Sequence, residues 1–568
     1  MKQARTALSA VVLLAGNQMA VAADADTIWF GGPIVTVNDR APSAQAVAIK
    51  DGKIVRVGSK AAVMKAERGP KTELRDLAGR TLVPGFIDPH SHFIDSLSLA
   101  DRVNVSAPPV GPAKNADEIV VALQAAAKAR SLKPGDLLLG YGYDENLMPQ
   151  GAPLSRDLLD KAFPDNPVAV IHVSMHGAVL NSKAFDKFGY KDGMDTPAGG
   201  VILRKPGSQD LQGLVMETAY LPMFSALPLP TPETEVAAAK AGQMLYAAAG
   251  VTTAQEGATH ANQVEQLKRV AEQGGLFIDV VSYPFILDLD KVLQTNPPSS
   301  FGSYHNRLKL GGCKLTPDGS PQGKTAWFTT PYLTGGPAGE KDWKGEPGLP
   351  IDVMLAGTKK CYDNHLQVLF HANGDAAIDF LLQAHEKAVG SGDLAADRRT
   401  VCIHCQFVRR DQLPKLKAYG IVPALFTDHT FFFADTHIRN RGMAQASFIS
   451  PMKSAAALGM RPTNHTDAFV VPIDQMMTMW TAVNRQARSG VIVGPEERVT
   501  PLQALKAITI DAAYQYREED SKGSIEAGKR ADLVVLSGNP LTVKPMTLKD
   551  IKVLETIKDG KTIYAAKR

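Results

Sequence analysis

The chain has 568 residues, 44% of them apolar and 21% charged, ordinary values that exclude a disordered or collagen-like protein. Lys and Arg number 62 against 58 Asp and Glu, a formal net charge of +4 with no block of like charge. That balance argues against a dedicated nucleic-acid or membrane-surface protein. At about 150 residues per domain the length suggests four domains, and fewer if an α/β barrel of 200–250 residues is present.

The first segment, residues 1–23, has Lys2 and Arg5, an apolar run from Ala7 to Gly16, and small residues from Ala20 to Ala23. This is the layout of a secretory signal peptide. Its apolar run reaches only about 15 Å as a helix, half a bilayer, which predicts an exported, periplasmic or secreted protein rather than an anchored one. Residues 27–37, 44–50, 53–58 and 81–84 then read as short β runs separated by turn residues, and 531–536 and 551–564 repeat the style around Asp559 and Gly560. The two ends, 24–83 and 510–568, predict one small β-sandwich domain built from both termini.

Between them, residues 84–509 alternate strand-like and helix-like runs. Strand-like runs fall at 82–87, 250–254, 277–285, 308–315, 366–370, 400–403, 421–426 and about 466–471, with alanine-rich stretches such as 233–249, 376–389 and 411–419 between them. Eight strands with intervening helices predict an α/β fold of the (β/α)8 TIM-barrel type. One βα unit needs about 30 residues, so the gap after the first strand predicts an inserted α/β lobe at about 100–220. Residues 316–350 hold seven glycines and six prolines, which predicts a long loop leaving the fourth strand, placed to act as a lid. The four cysteines are Cys313, Cys361, Cys402 and Cys405. A chain this long needs no staples, and a buried strand would hold Cys402 and Cys405 apart, so no disulfide is expected.

The sharpest feature is the segment from Pro84 to His92 (PGFIDPHSH). Two histidines at i and i+2 on a strand end face one side and can share a metal. Other ligand-type residues fall where the predicted strands end: Lys314, His371, His404 and Asp467. His371 and His404 are 33 residues apart, one βα unit, and Asp467 lies 63 beyond His404, two units. All would converge on the carboxyl-terminal face of a barrel, where barrel enzymes do their chemistry.

These residues resemble the amidohydrolase superfamily, specifically the YtcJ-like amidohydrolases of family 3, similar to N-substituted formamide deformylases. The matching pieces are residues 83–92, 314–320, 371–375, 403–406, 466–467 and 523–533, with weaker matches at 140–144, 176–182 and 250–253. Thr466 stands where the family usually has Ser, and Tyr143 where it tends to have Trp. The resemblance implies that His90, His92 and Asp467 hold one metal, that His371 and His404 hold a second, and that a carboxylated Lys314 bridges them. A one-metal alternative uses His90, His92, His371 and Asp467 and leaves Lys314 as a charge. Two divalent ions, zinc by default from the histidine-rich ligands, are the expectation.

Metal coordination brings the pKa of water down to roughly 7, so the expected reaction is attack of a metal-bound hydroxide on an amide-type carbonyl with cleavage of its C–N bond, Asp467 acting as general base and then acid. His176 and His429 are candidates to polarise the substrate carbonyl, and Tyr143 and Asp144 to bind substrate. His465, two residues before Asp467, is a candidate support for a ligand. The expected partner is a small-molecule substrate, with no nucleic acid and no membrane for the mature chain, and a homodimer stays open. Alternatives on the same site are a cyclic amidase, deaminase or esterase. A non-catalytic regulatory or binding protein of this fold would show lost ligands, and none is lost.

Overall fold

The computed structural model describes residues 24–149 and 152–567, so the signal segment expected at 1–23 lies outside the described residues. Strands β1 (Phe86–Ile87), β2 (Val251–Thr259), β3 (Asp279–Pro284) and β4 (Leu308–Leu310) pair in parallel in chain order. Strands β5 (Gly312–Leu315), β6 (Gln367–Ala372), β7 (Val401–His404), β8 (Val422–Leu425) and β9 (Thr463–Asn464) form a second parallel series. A single parallel bridge between Phe285 and Lys314 joins the two. The predicted fourth strand is thus split at Gly311 into β4 and β5. The ends of the series meet through individual bonds, such as Asp467 N to His90 O at 3.0 Å and Thr466 Oγ1 to Asp88 at 2.5 Å, with no ladder closing them among the described residues.

The expected eighth strand at 466–471 is corrected. The strand is Thr463–Asn464, and residues 467–470 form a turn. A run that is buried all round carries no period by which to tell strand from turn.

Alternation along the strands explains the packing. Ile87, Val281, Leu369, Val401, Ile403 and Ala424 meet in one buried cluster, while Phe86, Val280, Val368, Phe370 and Cys402 pack outward with helical residues such as Ile378 and Leu381. Burial on both faces is why these strands read as continuous apolar runs.

Both termini contribute to one eight-stranded sheet, in which Thr81–Pro84 pairs antiparallel with Leu533–Leu536 and also joins Thr27–Val35. The run 82–87 therefore serves two sheets, changing over at Gly85. A Cβ there would lie 2.6 Å from Thr252 Oγ1 and 3.1 Å from the Asp532 carbonyl carbon, so only glycine fits the crossing. The insertion carries a six-stranded sheet running from Arg102–Asn104 to Gly200–Arg204, with apolar clusters of its own.

The expectation of no disulfide is overturned: Cys313 is bonded to Cys361. Lys314 takes the inner face of β5, so Cys313 faces outward, where α1 (Ile351–Asp363) brings Cys361 against it. That contact spans the whole 316–350 loop and leaves no trace in cysteine spacing. Cys402 and Cys405 are free and buried. Residues 316–350 contain no helix or strand, as their composition predicts.

Candidate metal centre

The two histidines of the PGFIDPHSH segment lie just past β1 rather than on it. His90 Nε2 and His92 Nε2 are 3.5 and 3.4 Å from the same oxygen, Asp467 Oδ1. That oxygen is buried and has no hydrogen-bond partner. Three side chains from the two ends of the chain fold thus aim donor atoms at one point, leaving a lone pair uncommitted. His404 closes β7 with its Nε2 3.9 Å from Asp467 Oδ2, and its ring lies 4.6 Å from that of His371 and 5.4 Å from that of His90. Lys314 Nζ reaches His90 Nε2 at 3.3 Å. His404 and Asp467 both have left-handed backbones, φ 68° and 48°, conformations that cost a non-glycine residue roughly 1–3 kcal/mol. At His404 this turns the ring away from the outward direction that strand alternation after Ile403 would give it.

Each imidazole is held from behind. Gln255 Oε1 takes His90 Nδ1 at 2.5 Å, and the Gln255 amide nitrogen donates to Pro89 O at 2.7 Å. The amide orientation is thereby fixed, so Nδ1 of His90 must carry the proton and Nε2 the lone pair. Asp318, from the start of the long loop, accepts from His371 Nδ1 at 3.0 Å and from the backbone of Asn373 and Gly374. Gly374 is required there, because a Cβ would lie 1.8 Å from Trp327 O. His465 Nε2 meets His404 Nδ1 at 3.0 Å, the supporting place expected of it. Such partners set tautomer and ring orientation in metal sites.

Burial holds the His90, His371 and His404 imidazoles well below their ordinary values, so they stay neutral and able to donate a lone pair. Burial opposes charge on His92 as well, but the Asp467 and Glu256 carboxylates 3.4 and 3.7 Å from its ring nitrogens prevail and push it up to about 10. Burial brings Lys314 down to about 8. Burial would raise Asp467, yet His404, His92 and His90 around it hold it well below the usual carboxylate range.

With the site's shape in view, the comparisons decide its kinship. A sequence profile described as Amidohydrolase family matches residues 73–564. The chain belongs to the amidohydrolase family. It is 26% identical to the YtcJ protein of Bacillus subtilis (strain 168) over 556 residues, covering 94% of this chain and 99% of that one. It is also 26% identical to the N-substituted formamide deformylase of Arthrobacter pascens over 562 residues, 95% and 98% of the two chains. Among solved structures it resembles an uncharacterized metal-dependent hydrolase from Pyrococcus horikoshii OT3, with a TM-score of 0.71, 22% identity, and coverage of 91% and 99%.

In this amidohydrolase a cavity opens beside the cluster, walled by His92, Lys314, His371, His404, Asp467 and His176 among others. His176 comes from the inserted lobe, its ring 5.1 Å from that of His371 and its Nδ1 2.9 Å from Glu217 Oε2. Burial disfavours its charge, but Glu217 outweighs burial and raises it. The other substrate candidates do not reach this wall. His429 bonds His437 at 2.9 Å against Phe426 and Phe433. The Tyr143 hydroxyl accepts from the Leu154 amide, and Asp144 caps a short turn at Asn146. Asp144, Glu145 and His172 gather as a second group of ligand-type atoms, tied by a 2.7 Å His172–Glu145 bond. Gln255, Glu256, Asp318 and Glu217 went unflagged by sequence reasoning. Asp318 at least lies inside a matching segment, whereas the others belong to no pattern.

Proposed function

We propose that this amidohydrolase is a metal-dependent hydrolase that cleaves an amide-type C–N bond of a small molecule in the mouth of a (β/α)8 barrel. The observation that carries this reading is the convergence of His90 Nε2 and His92 Nε2 on the uncommitted Asp467 Oδ1. Neutral imidazoles at His90, His371 and His404 and an ionised Asp467 belong to the donor set a divalent cation requires, and His92 would give up its proton to the cation, so the residues present fit the metal. His90, His92 and Asp467 would hold one ion and His371 and His404 a second, with a carboxylated Lys314 between them and zinc the default.

Carboxylation requires a neutral amine, and burial favours that form of Lys314. A bound cation supplies Lewis-acid polarisation and makes water acidic enough to react near neutral pH. Asp467 takes the proton of the attacking water and returns it to the leaving nitrogen, so that the C–N bond breaks to an acid and an amine. His176, braced by Glu217, has its second ring nitrogen free to donate to the carbonyl oxygen as charge develops there.

The test is metal analysis of protein purified without chelator, followed by a screen of N-formyl, N-acyl and cyclic amides. Close to two divalent ions per chain and chelator-sensitive turnover are expected. Absence of metal together with chelator-insensitive activity would overturn the reading.

A further inference from the structure

The cavity beside the metal cluster does not end there. Tyr220, Leu221, Phe224, Phe285, Leu349 and Val470 wall it away from the ligands. A second hollow shares Leu221, Phe224 and Phe285 with it and runs outward past Leu227, Leu229 and Leu287. Leu287 is 53% exposed and marks the mouth. Phe224 stands at the junction, its ring 5.7 Å from Tyr220 and 5.8 Å from His260.

The charges along this path decide what it can hold. Outside the metal cluster and Glu256 beside His92, the acidic and basic side chains on the two walls occur in three pairs: Asp95 with Arg102 at 2.8 Å, His176 with Glu217 at 2.9 Å, and His260 with Asp288 at 2.7 Å. Each basic side chain has its own carboxylate. A carboxylate or ammonium carried into the trough would leave water and find no free counter-charge, the costly form of burial. An aryl or alkyl group would lose only unfavourable hydration.

We propose that the substrate carries an extended, uncharged apolar arm beside the scissile group, received by the trough from Phe224 to Leu287, and that amides ending in a carboxylate there are disfavoured. This rests on the reading that the bond is cut at Asp467, and it names the substrate class.

Binding and turnover separate the two ideas. The ketone 6-phenyl-2-hexanone, which cannot be hydrolysed, and its carboxylate-ended counterpart 6-oxoheptanoate are titrated calorimetrically into metal-loaded and metal-stripped protein. The phenyl ketone should bind at least about tenfold tighter in both, in keeping with apolar-pocket discrimination of roughly 10–200-fold. Leu287→Lys, at an exposed position that tolerates substitution, adds a cation at the mouth and should shrink that ratio at least threefold. Equal or tighter binding of 6-oxoheptanoate, or a ratio unmoved by Leu287→Lys, overturns the proposal. In parallel, N-formyl-4-phenylbutylamine should turn over with higher kcat/KM than N-formyl-5-aminopentanoate. Failure of every N-formyl compound to react, with the binding preference intact, would strike the hydrolase reading and leave the apolar arm standing.

Discussion

Two clusters of buried charge occupy opposite ends of the parallel strands. At the amino-terminal starts of β3 and β4, Lys522 bonds Asp279 at 2.6 Å and Glu518 at 2.7 Å, Lys558 bonds Asp279 and Asp532 at 2.7 Å each, and Lys309 bonds Glu518. At the carboxyl-terminal ends, four histidines, a lysine and one carboxylate face each other, and Asp467 Oδ1, His465 Nδ1 and Glu217 Oε1 have no hydrogen-bond partner. The first cluster alternates cations with anions and ties the strands to the carboxyl-terminal segment. The second sets three neutral imidazoles, His92 and Lys314 around one carboxylate, more donor groups than a single anion can satisfy. Burial alone therefore does not mark a functional site. What sets the second cluster apart is that His90 Nε2 and His92 Nε2 converge on an Asp467 oxygen that has no hydrogen-bond partner.

Breaking the first cluster should give the largest change. Asp279→Asn leaves Lys522 and Lys558 buried without their shared anion, and removing one member of a buried pair costs about 3–5 kcal/mol. Urea denaturation should show that loss, while turnover per folded molecule holds. The pH dependence follows from the Asp279 pKa. Burial would raise it, but Lys522 and Lys558 hold it far below the usual range. A depressed carboxylate adds stability above its unfolded value, near 3.9, and loses it as pH falls towards the folded value. The stability gap between wild type and Asp279→Asn should therefore be full at pH 7 and narrow below about pH 4. A gap that stays constant down to pH 2.5 would show the network contributes otherwise.

The second cluster should respond in the opposite sense. Asp467→Asn removes the proton acceptor at the same size and should lower kcat by at least about 10²-fold, with the urea midpoint of the metal-free protein little changed. Near-normal turnover would move the base elsewhere. Lys314 sharpens the comparison further, because its two fates predict different variants. If it carries the bridging carboxyl group, Lys314→Ala and Lys314→Arg should both lose one of two metals and most activity, and a short carboxylic acid added to Lys314→Ala should restore part of it. A free cation would instead leave Lys314→Arg more active than Lys314→Glu. Metal counts and rates on the three variants distinguish these.

The sequence made the two-ended sheet legible through the turn residues that separate its partly exposed strands, such as Thr27–Val35 and Lys53–Gly58, and the parallel strands through their burial. Apolar runs buried on both faces stand out between alanine-rich stretches, and His371 and His404 end such runs. Asp467 was reached by its spacing from His404 and by its motif, although the strand before it is two residues long and a left-handed turn aims it. The disulfide escaped because Cys313 and Cys361 meet only once β5 and α1 are packed. Tyr143 and Asp144 lie in a segment that matches the family, yet their side chains turn to Leu154 and Asn146. Matching a segment places a residue on the chain without saying which way its side chain faces.

The smallest effect expected belongs to Gln255, which no pattern marks. Its Oε1 accepts the His90 Nδ1 proton, while its amide nitrogen donates to Pro89 O and to the Tyr516 hydroxyl, which in turn donates to Asp88 O. The side chain is a clamp between the backbone of the metal-binding segment and the ring it presents. Gln255→Leu has similar size but cannot accept, so the ring is free to take its other tautomer or rotate, and removal of such a partner typically weakens metal binding 10–100-fold. Gln255→Glu keeps an acceptor and should hold metal better than Gln255→Leu, although it loses the two donated bonds. The measurement is competition with a metal-buffering chelator, which reads affinity without any substrate. A merely structural role would lower the urea midpoint of the metal-free protein equally in both variants and leave their affinities alike. Metal affinity falling in the order wild type, Gln255→Glu, Gln255→Leu is the outcome expected of a residue that acts through His90.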